Sequence, residues 1–163
     1  MDENSGRIGP GDIGEIWLRN AATFSGYFND ETATREAMTP DGWLRTGDLA
    51  RHDEDGWYTF VARRKEVIRR RGENVAPAEV EAVLMSHPCV KEAAVVGCAS
   101  SLGEEEIAAF VVFTPGAAVM IEELSEYAAA RLAPFKVPSI WRVTGELPRT
   151  STQRVAKHLL RPD

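Results

Sequence analysis

Six cations fall within nine residues, as Arg63-Arg64-Lys65 and Arg69-Arg70-Arg71. Charge at that density attracts phosphate-bearing anions, and it also occurs as a plain solvated face. Nucleic acid is a poor fit, because the net charge is -6 and no aromatic residue interleaves with the run. Asp48, in Thr46-Gly47-Asp48, reads on its own as a turn residue. His52, His87 and His158 are scattered without the spacing of metal ligands, so no metal site is expected. Cys89 and Cys98 are the only cysteines, too few for a disulfide scaffold or a zinc site. Cys98 lies in an apolar run and Cys89 has no activator nearby, so neither reads as a nucleophile.

The elements that must position these residues follow from local pattern. Residues 6–14 are rich in Gly, with Pro10 and Asp12, and read as a turn. Glu15-Ile16-Trp17-Leu18-Arg19 suggests a short strand. Asn29-Asp30-Glu31-Thr32 caps a short helix running to Met38, which Pro40-Asp41-Gly42 breaks. Asp53-Glu54-Asp55-Gly56 is a polar turn, and Trp57-Tyr58-Thr59-Phe60-Val61 is a strand by its aromatic and β-branched content. Further on, Val67-Ile68 is a short strand and Gly72-Glu73-Asn74 a turn. Pro77 suits the first position of a helix whose apolar face is Val80, Val83 and Leu84, with Glu79 and Glu81 near its positive end. His87-Pro88 closes it. Residues 93–98 and 107–113 are buried-strand candidates, Ile121, Leu124, Ala128 and Leu132 mark a second helix, and residues 140–143 a third strand. Residues 155–160 read as a last short helix.

Length and composition bound the answer. The chain has 163 residues, with 44% hydrophobic and 27% charged, an ordinary globular composition. No apolar run approaches the length of a membrane-spanning helix, and the polar opening Met1-Asp2-Glu3-Asn4 argues against a secretory leader. A cytoplasmic protein is expected. Charge is uneven: residues 1–62 hold 5 Lys and Arg against 12 Asp and Glu, whereas residues 63–163 hold 14 against 13. The expected fold class is α+β. Residues 1–62 form a hairpin-rich β region too small and polar for a convincing core of its own, and residues 63–163 form a compact α+β domain with a mixed sheet.

Spacing alone leaves the function open; ordered motifs narrow it. Gly42-Trp43-Leu44-Arg45-Thr46-Gly47-Asp48, followed by Asp55-Gly56-Trp57, resembles the "GW-x-x-TGD…DG" core of adenylate-forming enzymes. Ala62-Arg63-Arg64-Lys65-Glu66-Val67-Ile68, then Gly72-Glu73-Asn74-Val75-Ala76-Pro77-Ala78-Glu79-Val80-Glu81, resembles their hinge segment. Pro134-Phe135-Lys136-Val137-Pro138 and Leu147-Pro148-Arg149-Thr150 resemble their closing motifs. The resemblance covers about residues 6–161, and its motif blocks are specific in combination. The family is the acyl-CoA synthetase, luciferase and peptide-synthetase adenylation group, and the acyl-CoA ligases look most similar. Its phosphate loop, adenine-holding motifs and magnesium-binding Glu have no counterpart in this sequence. The resemblance is therefore to the end of the large adenylation domain, the hinge and the mobile C-terminal domain.

That resemblance implies a two-step reaction. A carboxylate attacks the α-phosphate of ATP to give an acyl-adenylate, and a thiol, usually coenzyme A, then displaces AMP. The first step needs a cation at the developing charge. The second needs that cation withdrawn and a thiol channel opened, by rotation of the small domain. Asp48 matches the Asp that accepts hydrogen bonds from both ribose hydroxyls, Arg63 an Arg beside the nucleotide, and Phe60 a nearby aromatic that packs a core equally well. Lys65 matches the hinge, with some of Arg69 to Arg71 left as solvated surface. Gly72, with Glu73, matches the loop lining the thiol channel. The tail departs from the usual "LP(K/R)T-x-x-G-K": Gln153 stands for Gly and Arg154 for the catalytic Lys. Arg keeps the charge but is planar and bulkier. Lys157 lies three residues on, on the same face of the expected helix, so Arg154 and Lys157 are both catalytic candidates. ATP or AMP and coenzyme A are the implied cofactors, with magnesium expected only in the large domain, which is an expected partner. A chain of this extent is expected to be inactive without it. The competing reading is a non-catalytic module that binds coenzyme A or a carrier protein, or regulates a full-length ligase.

Overall fold

The structure, a computed structural model, describes Met1 and residues 6–99, 103–117 and 119–162. The polar opening at residues 2–4 lies outside the described residues. The chain divides into two compact units, Met1–Lys65 and Glu66–Asp163.

Unit 1 is an antiparallel sheet of order β1-β2-β3, formed by Ile13–Leu18 (β1), Leu44–His52 (β2) and Tyr58–Arg63 (β3). One helix, α1 (Glu31–Ala37), joins β1 to β2. Asp30 caps it, its carboxylate accepting the Ala33 amide at 2.8 Å. The polar turn before β3 closes on itself, since the Asp53 carboxylate accepts the Trp57 amide at 2.9 Å. Thr46, Gly47 and Asp48 lie inside β2 rather than in a turn, and a register shift follows at Leu49/Ala50. Among the described residues of this unit, only Ala50 and Ala62 are buried hydrophobics.

Unit 2 is the α+β domain. A hairpin of Ile68–Arg70 (β4) and Glu73–Val75 (β5) leads into α2 (Pro77–Met85). Val90–Ala99 (β6) and Glu105–Phe113 (β7) pair antiparallel, α3 (Ile121–Ala129) crosses over, and Ile140–Val143 (β8) joins β7 in parallel. The sheet of order β6-β7-β8 is thus mixed, as expected. Its central strand is apolar without a break from Ile107 to Phe113 because both faces are covered. Ala93, Val95, Ile107, Ala109 and Val111 face a core completed by Val80 and Leu84 of α2 and Leu124 and Ala128 of α3. The alternate residues Ala94, Ala108, Phe110 and Val112 pack with Leu147 and Leu160 of the tail.

Two local expectations are corrected. The turn before β5 is confined to Arg71-Gly72, both left-handed at φ 53° and 79°, so Glu73 and Asn74 are already strand. Two consecutive positive φ angles match strand twist and reverse the chain in the fewest residues. Residues 155–160 are not an α-helix. Val155 bridges Arg149, and only Lys157–Leu159 form a single 3-10 turn. The tail has to lay Leu147, Val155 and Leu160 against the second face of the sheet. A bridged reversal with one tight turn delivers those three contacts, and helical spacing does not.

Candidate functional site

In unit 1, antiparallel register places Asp48 opposite Arg63. The Arg63 Nε lies 2.7 Å from Asp48 Oδ1, and its Nη1 donates to the Thr46 carbonyl at 3.0 Å. The Asp48 side chain is part-exposed, so its carboxylate is anchored by Arg63 without being buried. The Thr46 hydroxyl sits between strands, donating to the Ile16 carbonyl at 2.7 Å and accepting the Asp48 amide at 3.0 Å. Gly47, at φ +73°, bends the backbone here, where a side chain is strained. Its amide donates to Glu15 Oε1 at 2.8 Å. Phe60, on the strand that carries Arg63, is 54% exposed, so it is not a core residue of this unit.

Glu15 is the member of this cluster that pattern reading passes over. It is 8% exposed and its carboxylate is fully engaged. Besides Gly47 it accepts the Trp17 indole N–H at 3.1 Å and Arg64 Nη1 at 3.2 Å. A buried carboxylate is costly unless it is paired and hydrogen-bonded in this way. The available signal was a Glu inside an otherwise apolar strand.

Lys65 is exposed and ends the first unit, while Glu66 opens the second. The cationic run is not one solvated face. Arg70 is 6% exposed, with Nη2 at 2.8 Å from Glu106 and Nη1 donating to the Val137 and Phe135 carbonyls at 2.7 and 3.2 Å. Its Nε is buried without a partner among the described residues. Arg69 and Arg71 are exposed, as are Gly72 and Glu73 at the hairpin tip.

The tail separates the two cations that the sequence put on one helical face. Thr150 organises a tight reversal: its amide donates to the Arg154 carbonyl at 2.8 Å and its hydroxyl accepts the Arg154 amide at 3.2 Å. Gln153 completes the turn at φ +65°, left-handed backbone that glycine adopts without cost. The Arg154 side chain is exposed and has no partner among the described residues. Lys157 is committed elsewhere. Its Nζ lies 2.7 Å from Glu81 Oε1 and 3.4 Å from Glu66 Oε2. Glu81 also accepts the Val95 amide at 2.7 Å, so this pair ties the tail to α2 and β6. Glu79 instead pairs with Lys136 at 2.7 Å.

Residues 79–154 match the AMP-binding enzyme C-terminal domain. That match lies within unit 2. The crotonobetaine/carnitine–CoA ligase of Salmonella arizonae is 35% identical over 98% of this chain. The ATP-bound structure of MatB from Rhodopseudomonas palustris matches 98% of the chain at 32% identity and a TM-score of 0.91. The o-succinylbenzoate CoA synthetase of Bacillus subtilis, in complex with its acyl-adenylate intermediate, matches 93% at 36% identity and 0.85. The chain spans 32%, 32% and 31% of these three proteins. The chain is thus similar over nearly all its length to about a third of each of these proteins, in keeping with the resemblance its ordered motifs carry.

Two further observations bear on chemistry around the AMP-binding C-terminal domain. Among the described residues no group of three or more His, Cys, Asp or Glu is placed to hold a metal ion, and no helix is long and apolar enough to cross a membrane. Burial, reinforced by the nearby Glu106 charge, pushes the Cys98 thiol up, away from the reactive thiolate.

Proposed function

We propose that this chain supplies the ribose-holding strand pair, the hinge and the mobile domain of an ATP-dependent acyl-CoA ligase. In this reading Asp48 accepts the ribose hydroxyls, with Arg63 orienting its part-exposed carboxylate. Phe60 offers an exposed aromatic face beside the nucleotide. Lys65 absorbs the rotation, since the chain passes from one compact unit to the next at that residue. Gly72 and Glu73 line the thiol path in the second step. ATP and coenzyme A are substrates, and the carboxylate pocket, the phosphate loop and any magnesium belong to a large adenylation domain.

Arg154 is assigned the cation of the first step and Lys157 is not. The single observation that carries the assignment is their opposite engagement. Lys157 is held between two carboxylates, whereas Arg154 is exposed on a tight turn with no partner among the described residues. A planar guanidinium can bridge a carboxylate and a phosphate through paired N–H donors.

The test uses the chain together with a large adenylation domain and resolves the half-reactions. Arg154→Ala is expected to cut pyrophosphate release while sparing thioester formation from supplied acyl-adenylate. Lys157→Ala is expected to lower the melting temperature and affect both half-reactions alike. A selective loss of the first half-reaction in Lys157→Ala, with Arg154→Ala near wild type, reverses the assignment. Binding of coenzyme A with no adenylate formed under any pairing favours a non-catalytic binding module, a reading to which the Gln153-Arg154 departure points.

A further inference from the structure

Three consecutive arginines, Arg69-Arg70-Arg71, run along β4 into its turn, and three consecutive glutamates, Glu104-Glu105-Glu106, lead into β7. The structure matches them one to one. Glu105 Oε2 accepts the Arg69 backbone amide at 2.7 Å. Glu106 Oε2 meets Arg70 Nη2 at 2.8 Å. Glu104 Oε2 accepts the Arg71 backbone amide at 2.9 Å. Two of the three contacts are therefore to backbone rather than to guanidinium. They occupy N–H groups that the short ladder from β4 to β5 leaves over, and charge-assisted bonds of this kind are the stronger sort.

Two independent features show that the arrangement is specific. A Cβ on Gly97 of β6 would stand 2.7 Å from Glu105 Oε1, 3.1 Å from its Cδ and 3.3 Å from Ile68 Cγ1. A side chain at this position would push that carboxylate from its place beside β4. The turn it helps to hold is unusual as well. Arg71 carries a left-handed φ of 53° without being glycine, a conformation that persists where the surroundings impose it.

We propose that Glu104 and Glu105 are positioning residues that hold the Arg71-Gly72 turn, with Gly97 clearing the path of Glu105. The clamp stands on geometry alone. Its consequence, that the clamp sets the approach of the thiol, rests on the reading of Gly72 as part of the thiol path.

Amide hydrogen exchange by NMR on the 163-residue chain reads the clamp without any assay of activity. Glu105→Ala is expected to speed exchange at Arg69, and Glu104→Ala at Arg71, each by about tenfold or more. Val111 and Leu124 keep wild-type rates in both. The Gln variants keep a carbonyl acceptor and retain most of the protection, and Gly97→Ala reproduces the Glu105→Ala effect at Arg69. Unchanged exchange at Arg69 and Arg71 in both alanine variants overturns the proposal. So does an equal rise at Val111 and Leu124, which marks general loosening. A second readout, thioester formation from preformed acyl-adenylate with a large domain present, separates the two layers. Faster exchange with a raised KM for coenzyme A supports both. Faster exchange with KM unchanged keeps the clamp and removes Gly72 from the thiol path.

Discussion

The two units use similar strands to opposite ends. In unit 1, Ala50 and Ala62 are the buried hydrophobics among the described residues, while Phe28, Trp57, Tyr58 and Phe60 are all more than half exposed. Its order comes from polar anchoring: Glu15, Thr46, Asp48, Arg63 and Arg64 hold one another across three strands. In unit 2 the sheet is covered on both faces and Val95, Ile107, Ala109 and Val111 are wholly inaccessible. A packed apolar core makes a rigid body, and a hydrogen-bonded sheet with bare aromatics makes a site that is precise but thinly supported. That contrast is what the proposed division into a moving domain and a nucleotide-holding strand pair requires.

Core truncation should break the contrast most strongly. Leu84→Ala, at a position with no exposure, is expected to destabilise unit 2 by about 2–5 kcal/mol, read as a shift of its denaturation midpoint. No single alanine substitution of an exposed aromatic in unit 1 should approach that. Next comes the ionic anchor inside the core: Arg70→Ala removes the partner of Glu106 and of two carbonyls, at a cost of about 3 kcal/mol in the same melt. A loss below about 1 kcal/mol there would mean that the buried Nε already offsets most of the gain.

Unit 1 is expected to answer in binding rather than in stability. Asp48→Ala should weaken adenosine monophosphate binding by about a hundredfold in the chain assembled with a large domain, measured by calorimetry, with little change in melting. Equal affinity in the variant removes Asp48 from the nucleotide. A smaller effect of opposite sign is expected at the tail. Gln153→Gly should stabilise unit 2 by up to about 1 kcal/mol, because the residue already sits at φ +65°. The smallest is chemical: with its thiol pushed up by burial, Cys98 should react with iodoacetamide at pH 8 several times more slowly than a free cysteine.

How much of this was legible beforehand follows from the range of each interaction. The strands, the two long helices and the α+β class were readable because alternation and helical spacing are local. The ordered TGD, hinge and LPRT blocks pointed to adenylate-forming ligases, and the match over residues 79–154 agrees. The tail was misread as helix because its apolar residues satisfy a helical count, while a distant sheet face decides how they are laid down. The charge run was read as partly solvated because nothing near Arg70 in sequence announces Glu106, 36 positions away. Glu15 escaped notice for the same reason: its partners Gly47 and Arg64 are 32 and 49 residues off.

Residue type and order alone determined that this chain has two regions of different character and that the second holds a compact core, which are properties of local pattern. Asp48, Arg63, Gly72 and Arg154 were singled out by what the family resemblance of the ordered motifs implies. Tertiary structure alone decided which charges are free. It buried Arg70, caged Lys157 between Glu66 and Glu81, anchored one oxygen of Asp48 and left Arg154 exposed. The reason is physical: a charge is engaged or available according to the groups within a few ångströms of it, and folding brings those groups from far along the chain.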